Sequence, residues 1–219
     1  MDAKSRILGV AWFLPVCGGS LFLPGCDRGP SRVNQPGIDA SDAGSAAIVL
    51  YDTNGDGRIA GEELQQAPAL VAALPRLDTN DDGGVSAEEV GARVSAWQEM
   101  RTGLASVRCH VTLDGQPLVG AKVVFDPEPF LGNEIKTAAG TTNQFGDAAP
   151  TISAEERPDP TLPGGVHFGL YRVRISKLSA GQEAIPARYN AQTTLGQEVA
   201  YDDPEMNANN MSFDLESDQ

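Results

Sequence analysis

Two twelve-residue stretches constrain this chain more than anything else in it: residues 52–63 (DTNGDGRIAGEE) and 78–89 (DTNDDGGVSAEE). Each puts oxygen-bearing side chains at positions one, three, five and twelve, with glycine at six. In the first stretch these are Asp52, Asn54, Asp56 and Glu63; in the second, Asp78, Asn80, Asp82 and Glu89. Gly57 and Gly83 stand where the backbone must turn sharply and a Cβ would clash. The residues at seven, Arg58 and Gly84, would lend a backbone carbonyl, leaving the Arg58 side chain to point away. Calcium is a hard cation that takes about six to eight oxygens at roughly 2.3–2.6 Å, and this donor set suits it. The plain alternative is an Asp/Gly-rich turn that binds nothing. A complete pattern occurring twice in one short segment argues against that, so two calcium ions are the expected cofactors. Ile59 and Val85 hold the apolar eighth positions, through which paired loops join by a short β-bridge.

The pattern D-x-[DN]-x-[DN]-G-x5-E resembles the EF-hand family, over about residues 43–102. Only fourteen residues, 64–77, separate the two loops, and Pro68 and Pro75 punctuate them, so the flanking helices should be short. Ser41 or Asp42 is a candidate cap for the helix entering the first loop. Pro68 suits the first turn of the helix entering the second, whose Leu70, Val71, Leu74 and Leu77 give an apolar face. Ser86 and Glu89 form a capping-box pattern at the head of the helix that follows. On that helix Val90, Val94 and Trp97 share one face, and Trp97 reads as core rather than as a ligand contact.

Upstream, Lys4 and Arg6 precede an apolar run broken by Pro15 and Gly18-Gly19, which reads as an export signal over residues 1–26. Its end, Leu23-Pro24-Gly25-Cys26, resembles the lipobox of bacterial lipoproteins. That resemblance implies lipidation of Cys26 and anchoring in the cell envelope. An ordinary signal cleaved nearby, or an uncleaved anchor, is the alternative. Residues 27–41 are polar and rich in turn formers, a flexible tether. With Cys17 in the signal and Cys26 lipidated, Cys109 is left without a disulfide partner and reads as a small apolar core residue.

From about residue 105 the apolar period changes to two. Strands are expected over 107–113, 118–125, 137–142, 168–177, 185–189, 195–201 and 211–215, with a hairpin at Asp114-Gly115. Short strands separated by turns argue for an antiparallel β-sandwich. The segments VTLDGQPLVGAKVVFDPE, AAGTTNQFGDA and PGGVHFGLYRVRIS resemble the carboxypeptidase-regulatory-like or transthyretin-like β-sandwich of exported bacterial proteins. The resemblance covers about residues 105–216; it implies an accessory Ig-like module and brings no catalytic residues. The expected architecture is therefore α+β and multidomain: signal 1–26, linker 27–41, EF-hand pair 42–103 and β-sandwich 104–219.

A net charge of −14 argues against nucleic acid, whose phosphates would be repelled. Nothing in the sequence points to an enzyme. There are two histidines, His110 and His167. Cys109 and His110 are adjacent on a strand and so face opposite ways, a poor dyad. Glu155-Glu156 reads as a solvated loop. The reading is a non-enzymatic, calcium-binding protein, lipid-anchored in the cell envelope. The alternative is a dockerin-like module, or one that binds an envelope protein or a glycan. Phe130, Tyr189 and Tyr201 are the candidate exposed aromatics for a glycan.

Overall fold

The first helix, α1 (Ala40–Tyr51), is capped at Asp39 and so starts before the point where a cap at Ser41 or Asp42 would begin it. The Asp39 carboxylate caps it by accepting the amides of Ser41 and Asp42. The computed structural model describes residues 35–100, 103–157, 161, 164–207 and 211–218. The export signal, Cys26 and most of the tether lie outside the described residues, as do parts of the loop over 157–165.

After α1 come strand β1 (Arg58–Ala60), helix α2 (Glu62–Gln65), helix α3 (Pro68–Leu77), strand β2 (Gly84–Ser86) and helix α4 (Ala87–Glu99). The helices between the loops are short, α2 a single turn and α3 10 residues, whereas α1 and α4 run to 12 and 13 residues, an ordinary length. Pro68 opens α3, but Pro75 lies inside it and does not end it. It sits in the last turn, where its missing N–H deletes one bond at most and its ring faces the half-exposed Val71 side of the helix. The buried face of α3 is Ala69, Leu70, Ala73 and Leu77, so Val71 is not part of it. Helix α4 begins with the full capping box: Ser86 accepts from the Glu89 amide and Glu89 accepts from the Ser86 amide. Helices α1 and α4 pack backbone to backbone. A Cβ on Gly44 would fall 2.2 Å from the Ala87 carbonyl oxygen, so only glycine allows this approach.

The rest of the chain is β3 (Cys109–Leu113), β4 (Gln116–Pro117), β5 (Lys122–Pro127), β6 (Ala138–Thr141), β7 (Asp147–Ala148), β8 (Thr151–Ile152), β9 (Gly169–Ser176), β10 (Leu178–Ser179), β11 (Gln182–Glu183), β12 (Gly196–Val199), helix α5 (Pro204–Asn207) and β13 (Met211–Leu215). One sheet has five strands in the order β12-β9-β5-β6-β8. The other runs β13-β3-β4, with β7 also on β3; β10 and β11 form a separate hairpin. Pairing is antiparallel except between β13 and β3, which run parallel with Met211 beside Cys109 and Leu215 beside Leu113. Asp114 and Gly115 make the β3–β4 turn, both at positive φ (51° and 75°), as the hairpin signal predicts. Residues 185–189 are not a strand. Pro186 has no amide to give a ladder, and Ala187–Tyr189 closes into a 3-10 turn instead.

The layering follows from strand alternation. On the five-stranded sheet, Phe125, Tyr171, Val173 and Ile175 point toward the second sheet, where Phe125 meets Phe213 edge-on. The opposite face carries Gly196, Glu198 and Arg172, and the helices lie on it. A Cβ on Gly196 would fall 1.9 Å from the Pro68 carbonyl oxygen, so α3 rests directly on β12. Helices and sheets share one continuous hydrophobic core.

Candidate metal centre

The two acidic loops are joined by the bridge between β1 and β2: Arg58 stands opposite Ser86, Ile59 opposite Val85 and Ala60 opposite Gly84. Ile59 and Val85 are fully buried. Gly57 and Gly83 take the left-handed turn at position six, with φ of 86° and 81°. Position four is left-handed too, as Gly55 in the first loop and Asp81 in the second. Asp81 bears a side chain there, which aspartate tolerates better than most residues.

Within each loop the side-chain oxygens face the loop's own amides. The Asp52 carboxylate accepts from Gly55 (2.6 Å) and Gly57 (2.8 Å), Asn54 Oδ1 accepts from Asp56 (2.8 Å), and Asp56 accepts from Arg58 (3.0 Å). The second loop repeats this, with Asp78 accepting from Asp82 and Gly83, Asn80 from Asp82, and Asp82 from Gly84. Glu63 accepts from Thr53, Asn54 and Ala60; Glu89 accepts from Thr79 and Ser86. Both glutamates thus reach back across the loop from position twelve to positions two and three or two alone. Amide donors, Ala60 foremost, hold the Glu63 carboxyl below the usual carboxylate range. Burial pushes Glu89 up, but the Ser86 and Thr79 donors outweigh it and leave it below that range as well.

Among the described residues, no three or more His, Cys, Asp or Glu side chains converge as a cation cage. The carboxylates are spent on backbone amides instead, and two of the donors this pattern supplies, an asparagine oxygen and a backbone carbonyl, are not carboxylates at all. The donor set itself fits a hard cation. It is wholly oxygen, and each loop brings it from positions one, three, five, seven and twelve. The expected Cβ clash at position six is not there: nothing lies within 4 Å of an added Cβ on Gly57 or Gly83, and it is the positive φ that favours glycine.

The Arg58 side chain does not simply point away. It crosses to the other loop, where its Nη1 donates to Asp82 Oδ2 at 2.7 Å and holds that carboxyl well below its usual range. A cation from the first loop thus competes for a prospective ligand oxygen of the second.

Two polar clusters tie the loops to the sheet, and sequence reasoning found neither. The first surrounds Glu198 on β12, which is fully buried. Its Oε2 accepts from Arg76 Nε on α3 (2.6 Å), and its Oε1 accepts from Arg93 Nε (2.5 Å) and the Trp97 indole N–H (2.9 Å) on α4. Arg93 also donates both terminal nitrogens to Asp202, at 2.7 and 2.6 Å, and Arg76 reaches Asp203 at 3.0 Å. Burial opposes the charge on Arg93, and the ion pairs with Asp202 and Glu198 override it and raise its pKa. The second cluster surrounds Glu128, also fully buried. It accepts from Tyr51, the last residue of α1, at 2.6 Å and from Arg172 at 3.2 Å. The one available signal was charge on an apolar stripe: Arg93 lies on the same helical face as Val90, Val94 and Trp97.

The remaining candidates fall as follows. Trp97 is core, yet its indole also bonds Glu198. Cys109 is buried, and burial pushes its thiol up to about 12, which keeps it unreactive. His110 points away from it and pairs with Asp147 at 2.9 Å. His167 is buried against the Gly103 carbonyl, and burial lowers its pKa. Phe130 and Tyr189 are buried and offer no stacking platform; Tyr201 alone of the three aromatics is exposed. Glu155 and Glu156 are exposed, on a 3-10 turn.

A family model described as EF hand matches residues 46–67, which supports an EF hand there and points to calcium as the ion. No curated protein and no solved structure matches the chain.

Proposed function

We propose that this chain is a non-enzymatic protein of the cell envelope, lipid-anchored through Cys26, in which two EF-hand loops each hold one structural calcium ion beside a β-sandwich accessory module. The observation that carries the reading is the pair of complete loops, joined through Ile59 and Val85. Asp52, Asn54, Asp56, the Arg58 carbonyl and Glu63 would hold one ion. Asp78, Asn80, Asp82, the Gly84 carbonyl and Glu89 would hold the other. A bound ion supplies positive charge that several loop oxygens share. The chain supplies the turn, the bridge and the one glutamate that closes each loop, Glu63 or Glu89. The segments resembling the carboxypeptidase-regulatory-like family support the module assignment, and the LPGC end of the apolar leader supports the anchor.

Each loop has three ligand carboxylates, which suits weak binding of about 10⁻⁴–10⁻³ M, the range of extracellular modules. At ten times its Kd, each ion would add about 1.4 kcal/mol to folding stability. Calorimetric titration of the full chain with calcium tests this. Two sites are expected, and Glu63→Gln or Glu89→Gln should each remove one. No heat and no thermal stabilisation in the wild type would reject it. Acyl labelling of wild type and Cys26→Ala, with membrane fractionation, tests the anchor: label and membrane association should vanish together.

A further inference from the structure

The Glu198 carboxylate touches both helices of the second hand. Arg76 lies two positions before Asp78, the first residue of the second loop, and Arg93 lies four after Glu89, the last. Their guanidinium groups meet on one carboxylate with no solvent exposure. We propose that Glu198 is a positioning residue for the second calcium loop. By clasping α3 and α4 to β12 it fixes the angle at which they enter and leave residues 78–89. This inference rests on the calcium reading above.

The argument is one of leverage. Sensor hands respond to calcium by changing the angle between their two helices, which exposes a groove. Here that change would strip a fully buried carboxylate of at least one of its two charged donors, which is unfavourable out of water. The floor beneath is equally unyielding, because Gly196, two residues along the same strand, leaves α3 no clearance. The second hand is therefore held at one interhelical angle, with its loop arranged before any ion arrives. Linkage runs both ways: an ion in the second loop must hold α3, α4 and β12 together more firmly. The first hand has no such clasp. Its exit helix is one turn long, and among the described residues its hydrogen bonds to the sheet side run through the Tyr51 hydroxyl, to Glu128 and from Arg172.

The test is a titration of the isotope-labelled full chain with calcium chloride, read at the Gly57 and Gly83 backbone amides, one per loop. Wild type, Glu198→Gln and Arg76→Gln are compared. In Glu198→Gln the Gly83 midpoint should rise about tenfold, and in Arg76→Gln about threefold, while Gly57 moves less than twofold. A Gly83 midpoint that is unchanged or lower would overturn the proposal, as would equal shifts at both glycines, which signify general loosening. Should Glu198→Gln not fold, Arg76→Gln decides by the same criteria, since it keeps the Arg93 and Trp97 bonds. No calcium response at either glycine in wild type would instead overturn the calcium reading, and this inference with it.

Discussion

The two acidic loops share seven of twelve residues and are held in different ways. The first is entered by a three-turn helix and left by a single turn, α2. It reaches the sheet side at Tyr51, whose hydroxyl donates to the buried Glu128 and accepts from Arg172 on β9. The second is flanked by α3 and α4, both pinned to β12 through Glu198, and its exit helix carries a full capping box. The loops differ as well: Arg58 of the first reaches into the second and occupies an oxygen of Asp82, and nothing returns the favour. Loop composition alone would rank the two as equals. The contacts beneath them differ: both helices of the second are hydrogen-bonded to β12, while the first is held through Tyr51, the packing of α1 on α4 and the β1–β2 bridge.

The harshest way to break this comparison is Gly196→Ala. The methyl group has nowhere to go, so α3 must lift from β12. A loss of about 3 kcal/mol is expected, measured by urea unfolding. Amide exchange should accelerate more at Val85 and Ser86 than at Thr53 and Asn54. Equal acceleration at both loops would mean that the second hand is no more tied to the sheet than the first.

Tyr51→Phe probes the first hand's hydrogen-bonded anchor. It leaves Glu128 buried with Arg172 as its remaining partner, at a cost of about 1–3 kcal/mol. The Gly57 amide should shift and Gly83 should not. A change confined to Gly83 would reverse the assignment of Tyr51 to the first hand.

Arg58→Ala should have the smallest effect, and it sharpens the asymmetry between the loops. Freed of its exposed ion pair, Asp82 becomes a better ligand, and calcium affinity at Gly83 should rise about twofold to fivefold. The first loop should be unaffected, because position seven lends it only a backbone carbonyl. A weaker second loop would show that the Arg58–Asp82 pair supports the turn rather than competing for it.

The loops were legible because everything that defines them is local: residue types at fixed offsets, glycine where the backbone turns left-handed, and an apolar eighth position. The capping box at Ser86 was legible for the same reason. Local signals misled where two were available. Ser41 and Asp42 both suit a cap, and Asp39 takes that role by accepting their amides. Ile185 with Tyr189 alternates like a strand, but Pro186 removes the amide a ladder needs. What no local pattern could show is the clasp on Glu198. Its Arg93 bond joins residues 105 positions apart, and a lone glutamate in a short strand announces nothing. The parallel pairing of β13 with β3 was hidden for the same reason.

That parallel pair bears on how the molecule is made. Thr112 and Asp214, hydrogen-bonded neighbours in the finished sheet, lie 102 positions apart. As the chain leaves the ribosome, one side of β3 therefore waits unpaired while the whole five-stranded sheet is built. The second sheet is the last part to close, and the exposed flank of β3 is where a stalled or overcrowded chain would first stick to its neighbours.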